Sequence, residues 1–228
     1  MDIAIIGGHG KVALELHPLL SGAGHEVDAI IRNPDHQTEI AELGATPVVA
    51  DVEHLSTEEL TELLRGHDLV IWSAGAGGGS PERTYAVDRD AAIRSMDAAR
   101  EAGVKRYLMV SYLGAGPDHG VPEDDAFFAY ADAKANADAH LRESGLAWTI
   151  IAPGHLSLEA PTGHLLVIGA GPADADRDPS KVGESQVSRA DVARVIAAVV
   201  EREDLAERMI EFVNGPTPID EALDAAAR

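Results

Sequence analysis

The first fifteen residues constrain this chain more than any other stretch. Asp2-Ile-Ala-Ile-Ile6 is a short apolar run with the length of a buried parallel strand, and Gly7, Gly8 and Gly10 punctuate its end. Beyond them Val12, Leu16, Leu19 and Leu20 recur at helical spacing, with Pro18 interrupting the pattern. Strand, glycine turn and helix in that order predict a phosphate site. A helix N-terminus offers unpaired N–H groups and a positive dipole end, provided the backbone can come close. Gly7 and Gly10 withhold the side chains that would bar that approach, and Ala13 is small enough for the helix to pack on the strand. Gly8, His9, Lys11 and Val12 complete the expected nucleotide-binding turn.

The same alternation continues. Glu26–Ile31, Thr46–Ala50, Asp68–Trp72, Lys105–Ser111 and Ala147–Ile151 read as five further strands. Helices are expected between them at Asp35–Leu43, from a Ser56 or Thr57 cap to Leu64, at Pro81–Ala102 and from about Asp125 to Ser144. Six strand–helix alternations without a repeat or linker imply a single α/β domain, a doubly wound and mostly parallel sheet covered on both faces. The core is expected within residues 1–153. Residues 154–228 are less regular and read as a small C-terminal substrate lobe built from loops. A short strand is expected at Leu165–Ile168, a flexible polar loop at Gly169–Gly183, a helix capped by Ser188, a strand at Met209–Val213 and a weak or frayed helix after Pro218.

Composition removes several classes of function. The formal charge is −21, with 39 carboxylates against 18 lysines and arginines, so neither nucleic acid nor an anionic membrane surface is an expected partner. The absence of cysteine excludes disulfides and thiolate metal sites. The ten histidines are scattered without a paired helical motif, so no metal site is expected. No apolar run approaches membrane-spanning length and no basic leader opens the chain, which predicts a cytoplasmic protein.

In doubly wound sheets, ligands lie beyond the carboxyl ends of the strands, here Gly7, Arg32, Asp51, Ser73, Ser111 and Pro153. Arg32 stands about 20 residues past the glycine turn, where an acidic residue would grip the ribose of NAD. A guanidinium pairs instead with a 2′-phosphate, so NADP(H) is expected over NAD(H). Asn33 adjoins it, and Asp51 and Val52 are placed beside the adenine. Ser73, Ala74 and Gly75 open a small-residue stretch running to Gly79 that would let the middle of the cofactor cross the fourth strand. Tyr130 and Lys134 are four apart on one helix face, so the ammonium is expected to lower the phenol's pKa and suit it to proton transfer. Ser111 could donate a hydrogen bond to the substrate oxygen, with Tyr112 beside it competing for the cleft.

Taken together, Gly7-x-x-Gly10-x-x-Ala13, Arg32-Asn33, Ser111, Tyr130-x-x-x-Lys134 and Pro153-Gly154-His155-Leu156 resemble an atypical, NAD(P)-binding short-chain dehydrogenase/reductase, of the NmrA-like and NAD(P)-dependent epimerase group. The likeness covers residues 1–160 well and the remainder loosely. It implies a Rossmann fold, a diphosphate at Gly7 and Gly10, Tyr130 as acid/base and Lys134 on the nicotinamide ribose. The Pro153-Gly154 turn is expected to close the nicotinamide end, with His155 and Leu156 following it at the cofactor. The expected activity is NADP(H)-dependent oxidation or reduction of a small carbonyl or related substrate. A sugar epimerase or a non-catalytic NADP-binding redox sensor are the alternatives, and an oligomer is compatible with the long helices.

Overall fold

A computed structural model describes residues 1–78, 80–171 and 186–228. Among these residues the first four strands form where the sequence places them, as β1 (Asp2–Ile6), β2 (Glu26–Ile31), β3 (Thr46–Val49) and β4 (Leu69–Trp72). They are followed by β5 (Arg106–Val110) and β6 (Ala147–Pro153). All are parallel, in the order β3-β2-β1-β4-β5-β6, with Ile6 level with Ile30 on one side and Trp72 on the other. The order reverses between β1 and β4, which opens a crevice at their carboxyl ends.

Alternation along each strand feeds two cores. Ile3 and Ile5 face the layer of α1 (Lys11–Gly22) and α7 (Arg189–Val200). Ala4 and Ile6 face the layer of α3 (Thr57–Leu64), α5 (Ala92–Ala102) and α6 (Phe128–Glu143). Because both faces are covered, the strands are apolar almost throughout, as parallel strands must be. Between β2 and β3 a single turn at Pro34–His36 leads into α2 (Gln37–Glu42). Ser56 caps α3 in a reciprocal capping box with Glu59.

Several elements depart from the sequence reading. The helix expected over Pro81–Ala102 is regular only at α4 (Pro81–Thr84) and α5; Tyr85–Ala91 between them is π-helical. Helix α6 starts at Phe128 rather than Asp125, because the Asp125 carboxylate accepts the Phe127 N–H in a turn of its own at 2.8 Å. The last third is more than loops. Strand β10 (Arg208–Asn214) continues the main sheet in parallel beside β6, β8 (His164–Gly171) runs antiparallel next to it, and β11 (Thr217–Pro218) closes the edge. The expected polar loop therefore begins as strand at Gly169–Gly171, and its remainder lies outside the described residues. The tail is a packed helix, α8 (Ile219–Ala226), with Leu223 fully buried. Two short strands missed in the sequence, β7 (His155–Ser157) and β9 (Gln186–Ser188), pair in parallel outside the main sheet. No helix among the described residues is long and apolar enough to cross a membrane.

Asp191 holds this last region together. Its buried carboxylate accepts the N–H groups of Thr162 (2.7 Å) and Gly163 (2.9 Å) and the hydroxyl of Ser188 (3.0 Å). Burial pushes the carboxyl up, but these bonds outweigh it and hold its pKa below the ordinary value. Asp191→Ala is expected to cost about 2–4 kcal/mol at neutral pH. A depressed carboxyl stabilises the fold fully above its unfolded pKa of about 3.9 and loses that effect as pH falls through the folded value. Urea denaturation of both proteins should therefore show the gap closing in acid. A gap that stays constant with pH would deny the carboxylate this role.

Candidate active site

The glycine turn is built by contacts on both sides. Gly7 has φ +86°, and a Cβ there would lie 2.6 Å from the backbone of Ala74 at the end of β4. A Cβ on Gly8 would lie 2.7 Å from the Ala29 side chain. Both residues donate their N–H to the Ile30 carbonyl, at 3.2 and 3.0 Å. The Gly7 amide thus extends the β1–β2 ladder and is not among the turn's free donors. The unused donors belong to the first turn of α1 from Lys11 and Val12 onward, which has no side-chain cap. Gly10, its N-cap residue, keeps the approach open: a Cβ there would stand 3.1 Å from the Gly7 carbonyl and 3.4 Å from that of Ser73.

One residue behind the turn was missed. His17 is fully buried on α1, with Nε2 2.6 Å from the Gly8 carbonyl. A carbonyl only accepts, so Nε2 carries the proton. Burial lowers the ring's pKa, the bond to Gly8 opposes this in part, and the net effect keeps the imidazole neutral. The ring thus braces the turn from inside. The available signal was its register: Val12, Ala13, Leu16 and Leu20 share the buried face that His17 occupies.

From the turn a groove runs in two directions. One arm is a cavity of about 630 Å³ lined by Arg32, Asn33, Asp51, Val52, His9 and His36, among others. The Arg32 side chain is exposed and makes no hydrogen bond or ion pair with the described residues, so a ligand anion would meet no competitor. Asn33 also lines this arm, but its side-chain oxygen caps the following turn at the Asp35 N–H, 3.1 Å away. The rings of His9 and His36 stack at 3.4 Å, and His9 pairs with Glu39 at 2.7 Å.

The other arm, about 730 Å³, shares Gly10 and the stretch from Ser73 through Ala74 and Gly75 to Gly78 with the first, so the two form one continuous groove. Lys11, Val12, Ser111, Phe127, Tyr130, Leu156 and Arg189 line this arm. Pro153, Gly154 and His155 do not: Pro153 is buried at the end of β6, Gly154 donates to the Phe212 carbonyl at 2.9 Å, and His155 enters β7. Leu156 alone of that quartet reaches the cavity.

The tyrosine–lysine pair also needs correction. Lys134 is fully buried and absent from the cavity lining; Nζ donates to the Val110 carbonyl at 2.7 Å and contacts the Met109 sulfur at 3.1 Å. Helical spacing put both side chains on one face, but the open carboxyl end of β5 captured the ammonium. Burial lowers its pKa, while Asp138 and Asp88 oppose. Tyr130 experiences the opposite of the expected effect. Burial raises its phenol well above the ordinary value, and Asp88, Asp138 and Tyr112 raise it further. Ser111 is likewise engaged: its hydroxyl donates to buried Asp138 at 2.6 Å. Asp88, in the π-helical stretch, accepts the Ala76 N–H at 3.0 Å and so fixes the floor of the groove. A local widening of the helix turn at a site of this kind is a recurrent device.

The groove is thus long enough for an extended ligand, with bare amides at its midpoint, a free guanidinium at one end and a protonated phenol at the other. Residues 7–203 match a family model described as NAD(P)H-binding. The chain belongs to that NAD(P)H-binding family. The protein named uncharacterized sugar epimerase YhfK of Bacillus subtilis (strain 168) is 34% identical over 225 residues, covering 98% of this chain and 99% of that one. The solved structure of the oxidoreductase ylbE from Lactococcus lactis has a TM-score of 0.81 at 30% identity, covering 99% and 96% of the two chains. An NAD(P)H azoreductase of Xenophilus azovorans is 28% identical over 197 residues, 86% of this chain and 61% of that protein. For an NAD(P)H-binding domain the groove fits on its own geometry: the first turn of α1 is uncapped, and Gly10 beside it carries no side chain to cover its amides.

Proposed function

We propose that the protein is an NADP(H)-dependent reductase of a small carbonyl or related conjugated substrate. The observation that carries the reading is continuity: a single groove joins Arg32, the first turn of α1 and the phenol of Tyr130. When bound, the dinucleotide supplies a hydride. The chain's own residues do the rest. The uncapped turn of α1 holds the diphosphate, the small residues from Ser73 to Gly78 let the ligand's middle lie flat, and Arg32 pairs with a 2′-phosphate. Tyr130 donates its proton to the substrate oxygen as that oxygen gains charge. A phenol whose pKa is raised remains protonated at working pH, which suits reduction. Lys134 acts from behind, holding the end of β5 in place and balancing two buried carboxylates. The relative named an NAD(P)H azoreductase supports reduction, and a phenol that stays protonated favours proton donation over the base that epimerisation also needs.

Loss of NADPH absorbance with aldehydes, quinones and flavins tests the reaction. No turnover above background across these classes would contradict it. Arg32→Ala tests the cofactor: NADPH affinity is expected to fall about tenfold or more, with NADH affinity nearly unchanged. Equal losses for both would remove the phosphate role of Arg32.

A further inference from the structure

The substrate end of the groove carries a cation that the proton and hydride steps do not use. Arg189 is the first residue of α7, and it lines the same arm as Phe127, Tyr130 and Leu156. Its Nη1 donates to the Leu156 carbonyl at 3.2 Å. The guanidinium keeps further donors in its planar fork, and among the described residues no carboxylate pairs with it. Arg65, Arg83, Arg89, Arg194 and Arg202, by contrast, each rest on Asp or Glu.

Charge around the arm is reversed relative to the whole molecule. The protein carries −21, yet among the described residues the ionisable groups lining this cavity are Lys11, Arg189, Tyr130 and Asp88. Asp88 is buried and turned onto the Ala76 N–H. Lys11 stands at the first turn of α1, on the diphosphate side. Arg189 is therefore the cation left for a substrate. It is also held firmly: the pairing of Leu156 with Val187 sets its carbonyl partner, and Ser188 caps the helix that Arg189 begins.

The walls beside it are apolar and open. Phe127 is 44% exposed and Leu156 37%, large apolar side chains at a cavity mouth. The Phe127 ring packs against Tyr130 and Tyr112, with centroids 5.2 and 5.3 Å away. Such a surface favours a flat apolar body.

Resting on the reductase reading above, we infer that the substrate is an aromatic or conjugated carbonyl compound bearing a carboxylate or similar oxyanion, anchored by Arg189 with its reacting end at Tyr130. A bidentate guanidinium–carboxylate pair fixes orientation as well as position, which a point charge would not.

Calorimetric titration of 2-naphthoate and its neutral isostere 2-naphthamide into NADP⁺-saturated protein tests this. Naphthoate is expected to bind about tenfold tighter than naphthamide in the wild type. Arg189→Ala should abolish that preference while leaving naphthamide and NADP⁺ affinities unchanged, and Arg189→Lys should retain part of it. Equal binding of the two compounds by the wild type, a preference that survives Arg189→Ala, or no binding of either overturns the anion anchor and leaves the reductase reading standing. Failure of NADP⁺ itself to bind overturns that reading and the inference with it.

Discussion

Replacing Tyr130 by phenylalanine is expected to lower kcat about 10²–10⁴-fold, with NADPH affinity unchanged. The hydroxyl makes no hydrogen bond to the described residues, so its removal costs little stability and the loss falls on the chemical step. The pH profile sharpens the prediction. Burial and the nearby carboxylates raise the phenol above its ordinary value of 10.0, so its acid form persists throughout the neutral and mildly alkaline range. The reduction rate contributed by this group should stay flat from neutrality to about pH 10 and fall only beyond it. A kcat that drops between about pH 7 and 9 in wild type but not in Tyr130→Phe would mean a lowered pKa, and with it the ammonium-assisted phenol that the position of Lys134 argues against.

Gly10→Val is expected to weaken NADPH binding about 100-fold while the protein still folds. Gly10 sits at φ −67° and ψ 150°, an extended conformation that valine accepts without strain. The new Cβ would stand 3.1 Å from the Gly7 carbonyl, close enough that the turn must give by a few tenths of an ångström. Its methyl groups would then cover the first turn of α1. Losing two or so charge-assisted hydrogen bonds, at about 1.5 kcal/mol each, accounts for a factor of this size. Titration of the variant with NADPH, beside a circular dichroism melt, checks both halves. Undiminished affinity would place the diphosphate elsewhere.

Much of the fold was legible because parallel strands buried on both faces announce themselves as continuous apolar runs. Glu26–Ile31 matches residue for residue, and of the two caps expected for α3, Ser56 and Thr57, Ser56 holds the position. What escaped depends on partners distant in sequence. Strands β7 and β9 are three residues long and about thirty apart, and only their pairing makes them strands. The tail helix α8 looked frayed because its apolar face is meaningful only against the sheet that buries it.

The site divides along the same line. Glycines, Arg32, Ser73 and Tyr130 come to one groove as local pattern suggested, since each ends a strand or faces inward from a helix. The partners of Lys134 were not legible: spacing gave the correct face, but the carbonyl of Val110 on another element took the ammonium. Asp88, Asp138 and His17 stayed hidden for a related reason. A buried polar residue shows its role only once the group it satisfies is in view, here the Ala76 N–H, the Ser111 hydroxyl and the Gly8 carbonyl.

Isothermal calorimetry of NADPH against the wild-type chain tests the central claim most directly. Saturable one-to-one binding at micromolar concentrations is the result expected of a groove whose midpoint is the bare first turn of α1. No heat of binding from NADPH or NADH at millimolar concentrations would contradict it.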